Sequence, residues 1–375
     1  MNTKYTRFAL AAVVYAAFAV YLYRPYFKGF GSLRLQDLFV ANICLASLGA
    51  YVLSRRWVAG FAESFFAGAV YGFGPFAIGL AKFHPTAVFL FAAIPWLFCP
   101  AVFGVARPSW PCVRFEGGTP PPQGKFKSLR IPLSLLPFLA IVLFFQLAAR
   151  FGLYPIPINL KLHGADLAGL LAPLVAAERH KMLVGFYHVP IAALVMGLCM
   201  FAAPFKGLGK GDILQRGKFL KSLAARRFGT VAIFAVATIL AFCDSVLQIS
   251  PVIFATISTL CCSVLIGVGM QGLISAGPAD RRWVLLNAIL LGILAIITLL
   301  FATKYFQTAA GLGAGYARLL TETAKMYILG ALAIAMLFVI ARAKLRIHPV
   351  RQILLYAATA LDIFLGARFI VDTIL

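Results

Sequence analysis

Apolar residues along this chain come in long, nearly uninterrupted runs. They show neither the three-and-four spacing of a surface helix nor the alternation of a half-buried strand. A hydrocarbon layer about 30 Å thick needs roughly 20 apolar residues at 1.5 Å per residue. Eleven runs approach or meet that length: residues 8–23, 38–53, 57–81, 86–106, 131–149, 182–203, 229–249, 252–275, 283–303, 326–341 and 352–370. The seventh and eighth are separated by only Ser250 and Pro251, which predicts a helical hairpin. The first run follows Lys4 and Arg7, and Ala17-Phe18-Ala19 resembles a signal-peptide cleavage site. Because the run continues through Tyr23 and ten more follow, it is expected to stay as a helix. The predicted fold class is all-α: a polytopic transmembrane helical bundle of about 11 membrane-spanning helices, forming one integral membrane domain over residues 1–375.

Composition sharpens this reading. Of 375 residues, 62% are hydrophobic and 12% charged, against about 25% charged in soluble domains. That excludes a soluble globular enzyme, a disordered chain and a disulfide scaffold. The net charge of +23 does not indicate nucleic acid, since no soluble module carries it. Lys and Arg collect instead on the cytoplasmic loops of membrane proteins. With the N-terminus inside and the runs alternating, basic residues favour the inner segments by about two to one. The expected topology is N-terminus inside, C-terminus outside, in the cell (cytoplasmic) membrane. The expected partners are the bilayer and the anionic lipids of its cytoplasmic face, together with an unknown small-molecule or lipid substrate.

Three connections stand out. Residues 107–130 form a Pro/Gly-rich cytoplasmic loop with Pro120-Pro121-Pro122. Residues 150–181 form an extracytoplasmic segment in which Leu167, Leu170, Leu171, Leu174 and Val175 make an apolar stripe. An interfacial amphipathic helix is expected there, ending on Glu178, Arg179, His180 and Lys181. Residues 204–228 carry seven basic residues interleaved with Ile213, Leu214, Phe219, Leu220 and Leu223. This cytoplasmic loop suits the anionic leaflet, each cation adding about 1 kcal/mol of attraction.

Candidate chemistry rests on ionisable groups inside the runs. A charge at the bilayer centre costs about 2.5–3.5 kcal/mol on insertion scales, so such groups are paired, hydrated or functional. Asp362 lies near the middle of the last run, and Arg368, six residues on, points the wrong way to pair with it. Its partner must come from another helix. Glu63 lies toward the inner side of the third run and Asp244 toward the outer side of the seventh. Gly74-Pro75 is placed to interrupt the third run and release backbone carbonyls, as at transporter sites. Just before it, Gly68 and Gly72 form a small-xxx-small pair suited to close helix contact.

The seven cysteines include no C-x-x-C pair, and the five histidines form no metal signature. No metal site and no cofactor is expected. No D-x-x-D or D-x-x-x-D occurs, which argues against magnesium-dependent diphosphate chemistry. Three functions remain open. A transporter or permease would use Asp362, Glu63, Asp244, Gly74 and Pro75 to bind substrate or ion. A membrane transferase acting on a lipid or lipid-linked substrate at the outer interface would use His180, Glu178 and Arg179 for acid–base work. A non-catalytic subunit of a membrane complex would need none of these.

Overall fold

A computed structural model of the chain describes residues 3–23, 38–58, 60–104, 130–153, 160–162, 229–275, 281–305, 314–342 and 348–374. The helices are α1 Thr3–Tyr23, α2 Phe39–Ser54, α3 Phe61–Phe73, α4 Pro75–Phe83, α5 Pro85–Gly104, α6 Arg130–Arg150, α7 Gly229–Phe242, α8 Pro251–Ser275, α9 Arg281–Phe301, α10 Ala314–Arg342 and α11 His348–Ile374. Among the described residues there is no strand beyond one isolated bridge between Val246 and Ile249. Among the described residues, six stretches are long and apolar enough to cross a membrane, and α2, α5, α6 and α7 give shorter apolar helices. The chain is an all-helical, multi-pass membrane protein. The sixth predicted run, residues 182–203, lies outside the described residues.

The core is built on α8 and the α3–α4 pair. The apolar windows of these two are 89% and 83% buried, whereas those of the other four long stretches are 39% or less. An interior helix is hydrophobic all round, and α8 nearly is: several of its hydroxyls bond back to its own carbonyls, and Ser258 pairs with Thr238 of α7 at 2.7 Å. Thr256 donates to Val252, Thr259 to Ala255 and Ser263 to Leu260, which keeps polar groups satisfied where no water reaches. The peripheral helices instead turn large apolar side chains outward, among them Val13, Leu143, Ile296 and Val339. Surfaces of this kind belong in hydrocarbon. A shallow groove of about 470 Å³ between α9 and α10, floored by Ala288, Gly292, Ala295, Ala331 and Ala335, lies on this outward face.

Hydrophobic burial does not drive helix to helix inside lipid, so close packing and polar contacts must. Gly68 and Gly72 do this on α3. A Cβ at Gly68 would overlap the Ser47 carbonyl and the Tyr15 hydroxyl, and one at Gly72 would overlap the Ser47 hydroxyl. Cross-helix hydrogen bonds add to the packing. Tyr15 donates to the Phe65 carbonyl at 2.6 Å, Tyr71 to Phe91 at 2.9 Å and the Trp96 indole to Leu45 at 3.0 Å.

Helix directions follow from these pairs. α1 and α11 run with α3. Tyr15 stacks on Phe65 and Phe18 meets Phe73; Tyr356 meets Phe66, while Asp362 and Gly366 reach Gly74. α2 runs against α3, with Gly68 on Tyr51 and Gly72 on Ile43. α8 also runs against it, with Gly267 on Glu63 and Ala67 and Cys261 near Tyr71. α6 and α7 end at one face, where the Gln146 amide donates to Leu247 at 2.8 Å and the Leu162 N–H to Ala241 at 3.0 Å.

Three boundaries differ from the sequence reading. The seventh run stops being helical at Phe242, not Ile249. Residues 246–249 close a tight turn with Leu247 and Gln248 at φ 54° and 61°, and the Ile249 N–H donates to Val246 at 3.0 Å. Two successive left-handed residues give a type I′ geometry. Second, α10 begins well before residue 326, because the polar turns around Glu322 and Lys325 extend the helix with a 2.7 Å ion pair between them. Third, the third run starts its helix at Phe61 rather than residue 57, and it breaks into two helices where Gly74-Pro75 stands in the sequence.

Candidate functional site

The break between α3 and α4 is set by two residues. Gly74 takes an extended conformation, φ −70° and ψ 158°, and Pro75 opens α4 at its first position. Proline suits a first helical turn because it has no N–H to lose there. For the same reason Pro75 gives nothing to Tyr71, whose carbonyl lies four residues back. The Ala77 and Ile78 N–H groups donate to Gly74, at 3.1 and 3.4 Å, so the α3 ladder is not carried across. A Cβ at position 74 would stand 2.6 Å from the Val70 carbonyl oxygen. The last turn of α3 therefore presents backbone carbonyls beside the break.

Asp362 meets this break. A cavity of about 10 Å³ is walled by Val70, Phe73, Gly74 and Pro75 from the broken pair, and by Asp362, Ile363, Gly366 and Ala367 from α11. That volume holds about one water molecule. Asp362 shares the inward stripe of α11 with the buried Leu355, Thr359 and Ile363, at the i, i+4, i+7, i+8 spacing of one helix face. Among the described residues its carboxyl has no hydrogen-bond or ion-pair partner. Tyr327, buried on α10, lies within its electrostatic reach. Two features that the sequence flags separately, a midplane acid and a helix interruption, thus share one cavity.

Glu63 occupies a different place. α3 begins at Phe61, so Glu63 is in the first turn, shallower in its helix than the run from residue 57 implied. The side chain is only 5% exposed. Tyr356 of α11 donates to Oε1 at 2.8 Å, and its ring stacks on Phe66. The carboxylate lies over Gly60, where a Cβ would overlap it. An acid in the first turn also faces the positive end of the helix dipole. These contacts link α3 to α11 through Glu63, which is not among the residues that wall the Asp362 cavity.

Asp244 lies apart from both. It lies beyond the end of α7, its side chain 86% exposed, and pairs with Lys161 at 2.7 Å. The apolar residues 246–249 that extend its run belong to the turn, so Asp244 does not sit within a spanning helix. Glu178, Arg179 and His180 lie outside the described residues, as do residues 107–129 and 163–228. Outside the spans, His84 fills the corner between α4 and α5. Burial pushes its imidazole below the usual 6.5, and its Nε2 is buried without a partner among the described residues. Among the described residues, no group of three or more His, Cys, Asp or Glu is placed to hold a metal ion.

Compared with known proteins, the chain matches no family model, no curated protein and no solved structure. Functional argument therefore rests on the geometry.

Sequence reasoning missed Tyr356 and Tyr327, each an aromatic in an apolar run with a hydroxyl that needs a partner. It also missed Gly366, although a glycine four residues after an intramembrane acid, on the same helix face, marks where a cavity can open.

Proposed function

We propose that this protein is a transporter of the permease type, whose pocket is built where the α3–α4 break meets Asp362. It would cross the cytoplasmic membrane eleven times, with the N-terminus inside and the C-terminus outside. The parallel course of α1, α3 and α11 and the opposed course of α2 and α8 support the alternation that this count requires. The basic segment 204–228 would lie on the anionic inner leaflet.

One observation carries the reading: a carboxyl with no hydrogen-bond or ion-pair partner among the described residues lines a cavity at an interrupted helix inside an apolar bundle. A packed scaffold gains nothing from such a group, because an unpaired acid in the membrane interior is costly. A transporter uses it, since discontinuous helices supply main-chain groups to a substrate or coupling ion near the midplane. No observation among the described residues favours the transferase reading. The test is uptake of a panel of labelled amino acids, sugars and organic acids by proteoliposomes. The expected result is ion-coupled uptake that Asp362→Asn abolishes while the variant still folds. Unchanged uptake by that variant would remove Asp362 from the mechanism.

A further inference from the structure

We propose that Asp362 and the carbonyl end of α3 form a binding site for a single Na⁺ ion, an inference that rests on the transport reading above. The donor set is the first ground. The wall joins Asp362 to Val70, Phe73 and Gly74 at the end of α3, and the Val70 carbonyl oxygen stands beside Gly74. Pro75 cannot donate to Tyr71, and the Ala77 and Ile78 amides bond to Gly74, so carboxyl and carbonyl oxygens are the donors this site would offer. Oxygen-only donors suit hard cations, not thiophilic or imidazole-seeking metals.

Charge and size decide among hard cations. The wall contains one acid and no base. Among the described residues, the ionisable group of α10 within electrostatic reach of Asp362 is Tyr327. On the α1 side, Phe18 and Tyr21 pack on the neighbouring Phe364 and bring no charge. One positive charge neutralises the carboxylate. A divalent ion would leave excess charge in hydrocarbon, and such ions recruit several carboxylates or keep their waters. The cavity of about 10 Å³ admits about one water. A bare monovalent ion fits such a space, and Na⁺ or Li⁺, smaller than the water-sized K⁺, can approach the carboxyl oxygens more closely.

The experiment uses the full-length protein in detergent and measures its unfolding temperature in NaCl, LiCl, KCl or choline chloride at equal total chloride. An ion that binds only the folded state raises that temperature in a saturable way. The expected result is a saturable rise in Na⁺, a smaller one in K⁺ and none in choline. Asp362→Asn should abolish the rise, and Glu322→Gln, which is not part of the cavity wall, should keep it. Gly366→Ala adds a methyl to the wall whose nearest neighbour is Met326 Cε at 3.7 Å. It should fold and need several-fold more Na⁺ for half the rise. Equal behaviour in Na⁺ and choline overturns the site, as does a Na⁺-specific rise that survives in Asp362→Asn. A response to pH alone, with none to Na⁺, assigns the carboxyl to a proton and also overturns it. If Asp362→Asn does not fold, the wild-type ion series and Gly366→Ala decide. Coupled uptake that persists in choline, without a Na⁺ rise, removes the ion site and leaves the transporter. A Na⁺ rise in a protein that moves no solute does the reverse.

Discussion

Tyr356 donates its phenol hydrogen to the buried Glu63 carboxylate across 2.8 Å, joining residues 293 positions apart in the chain. A buried hydrogen bond of this kind contributes about 0.5–3 kcal/mol, and leaving the acceptor unpaired costs more than removing both groups. Tyr356→Phe keeps the ring on Phe66 and loses only the hydroxyl. It should lower stability by about 1–3 kcal/mol, measured by denaturant unfolding in mixed micelles. Glu63→Gln with Tyr356→Phe should cost less than the sum of the single variants, which a double-mutant cycle reads directly.

The glycines of α3 separate sharply from one on α9. Gly68→Ala and Gly72→Ala place a methyl on Ser47 and should cost about 1–3 kcal/mol, since α2 must move away. Gly292→Ala meets nothing within 4 Å and should fall within about 0.5 kcal/mol of wild type. Thermal unfolding of the three purified variants checks the order.

His84 gives the chain a pH dependence of known sign. Burial lowers its folded pKa below the 6.5 of the unfolded chain. Between those two values the unfolded state binds more protons, so stability is fully present above about pH 6.5 and falls as the pH drops toward the folded value. Unfolding temperatures from pH 7.5 to 5 should therefore decline. His84→Gln should flatten that decline, and an unchanged slope would exclude His84 as its source.

The Lys161–Asp244 pair is exposed, and exposed ion pairs contribute about 0–1 kcal/mol. Asp244→Asn should leave both stability and uptake near wild type. A loss of uptake at normal abundance would return Asp244 to the functional site.

Most of the helices were legible because hydrocarbon imposes a local rule: a span must be apolar along its own length. The α7–α8 turn was not, because Val246, Leu247 and Ile249 are as apolar as a span and no Gly or Asn marks the left-handed positions. Asp362 and Gly74-Pro75 were each visible through a local cost, one electrostatic and one steric. Their meeting is tertiary, set by α11 running beside the broken helix, and no sequence period encodes it. The same holds for Tyr356 and Glu63.

The most direct test compares two carbodiimides on native membranes in choline buffer, one apolar and one water-soluble, with adducts mapped by mass spectrometry. If Asp362 lies in a cavity within hydrocarbon, the apolar reagent modifies it and the soluble one does not, while the exposed Asp244 shows the opposite preference. Modification of Asp362 by the soluble reagent as readily as Asp244 would contradict its place beside the helix break inside the membrane.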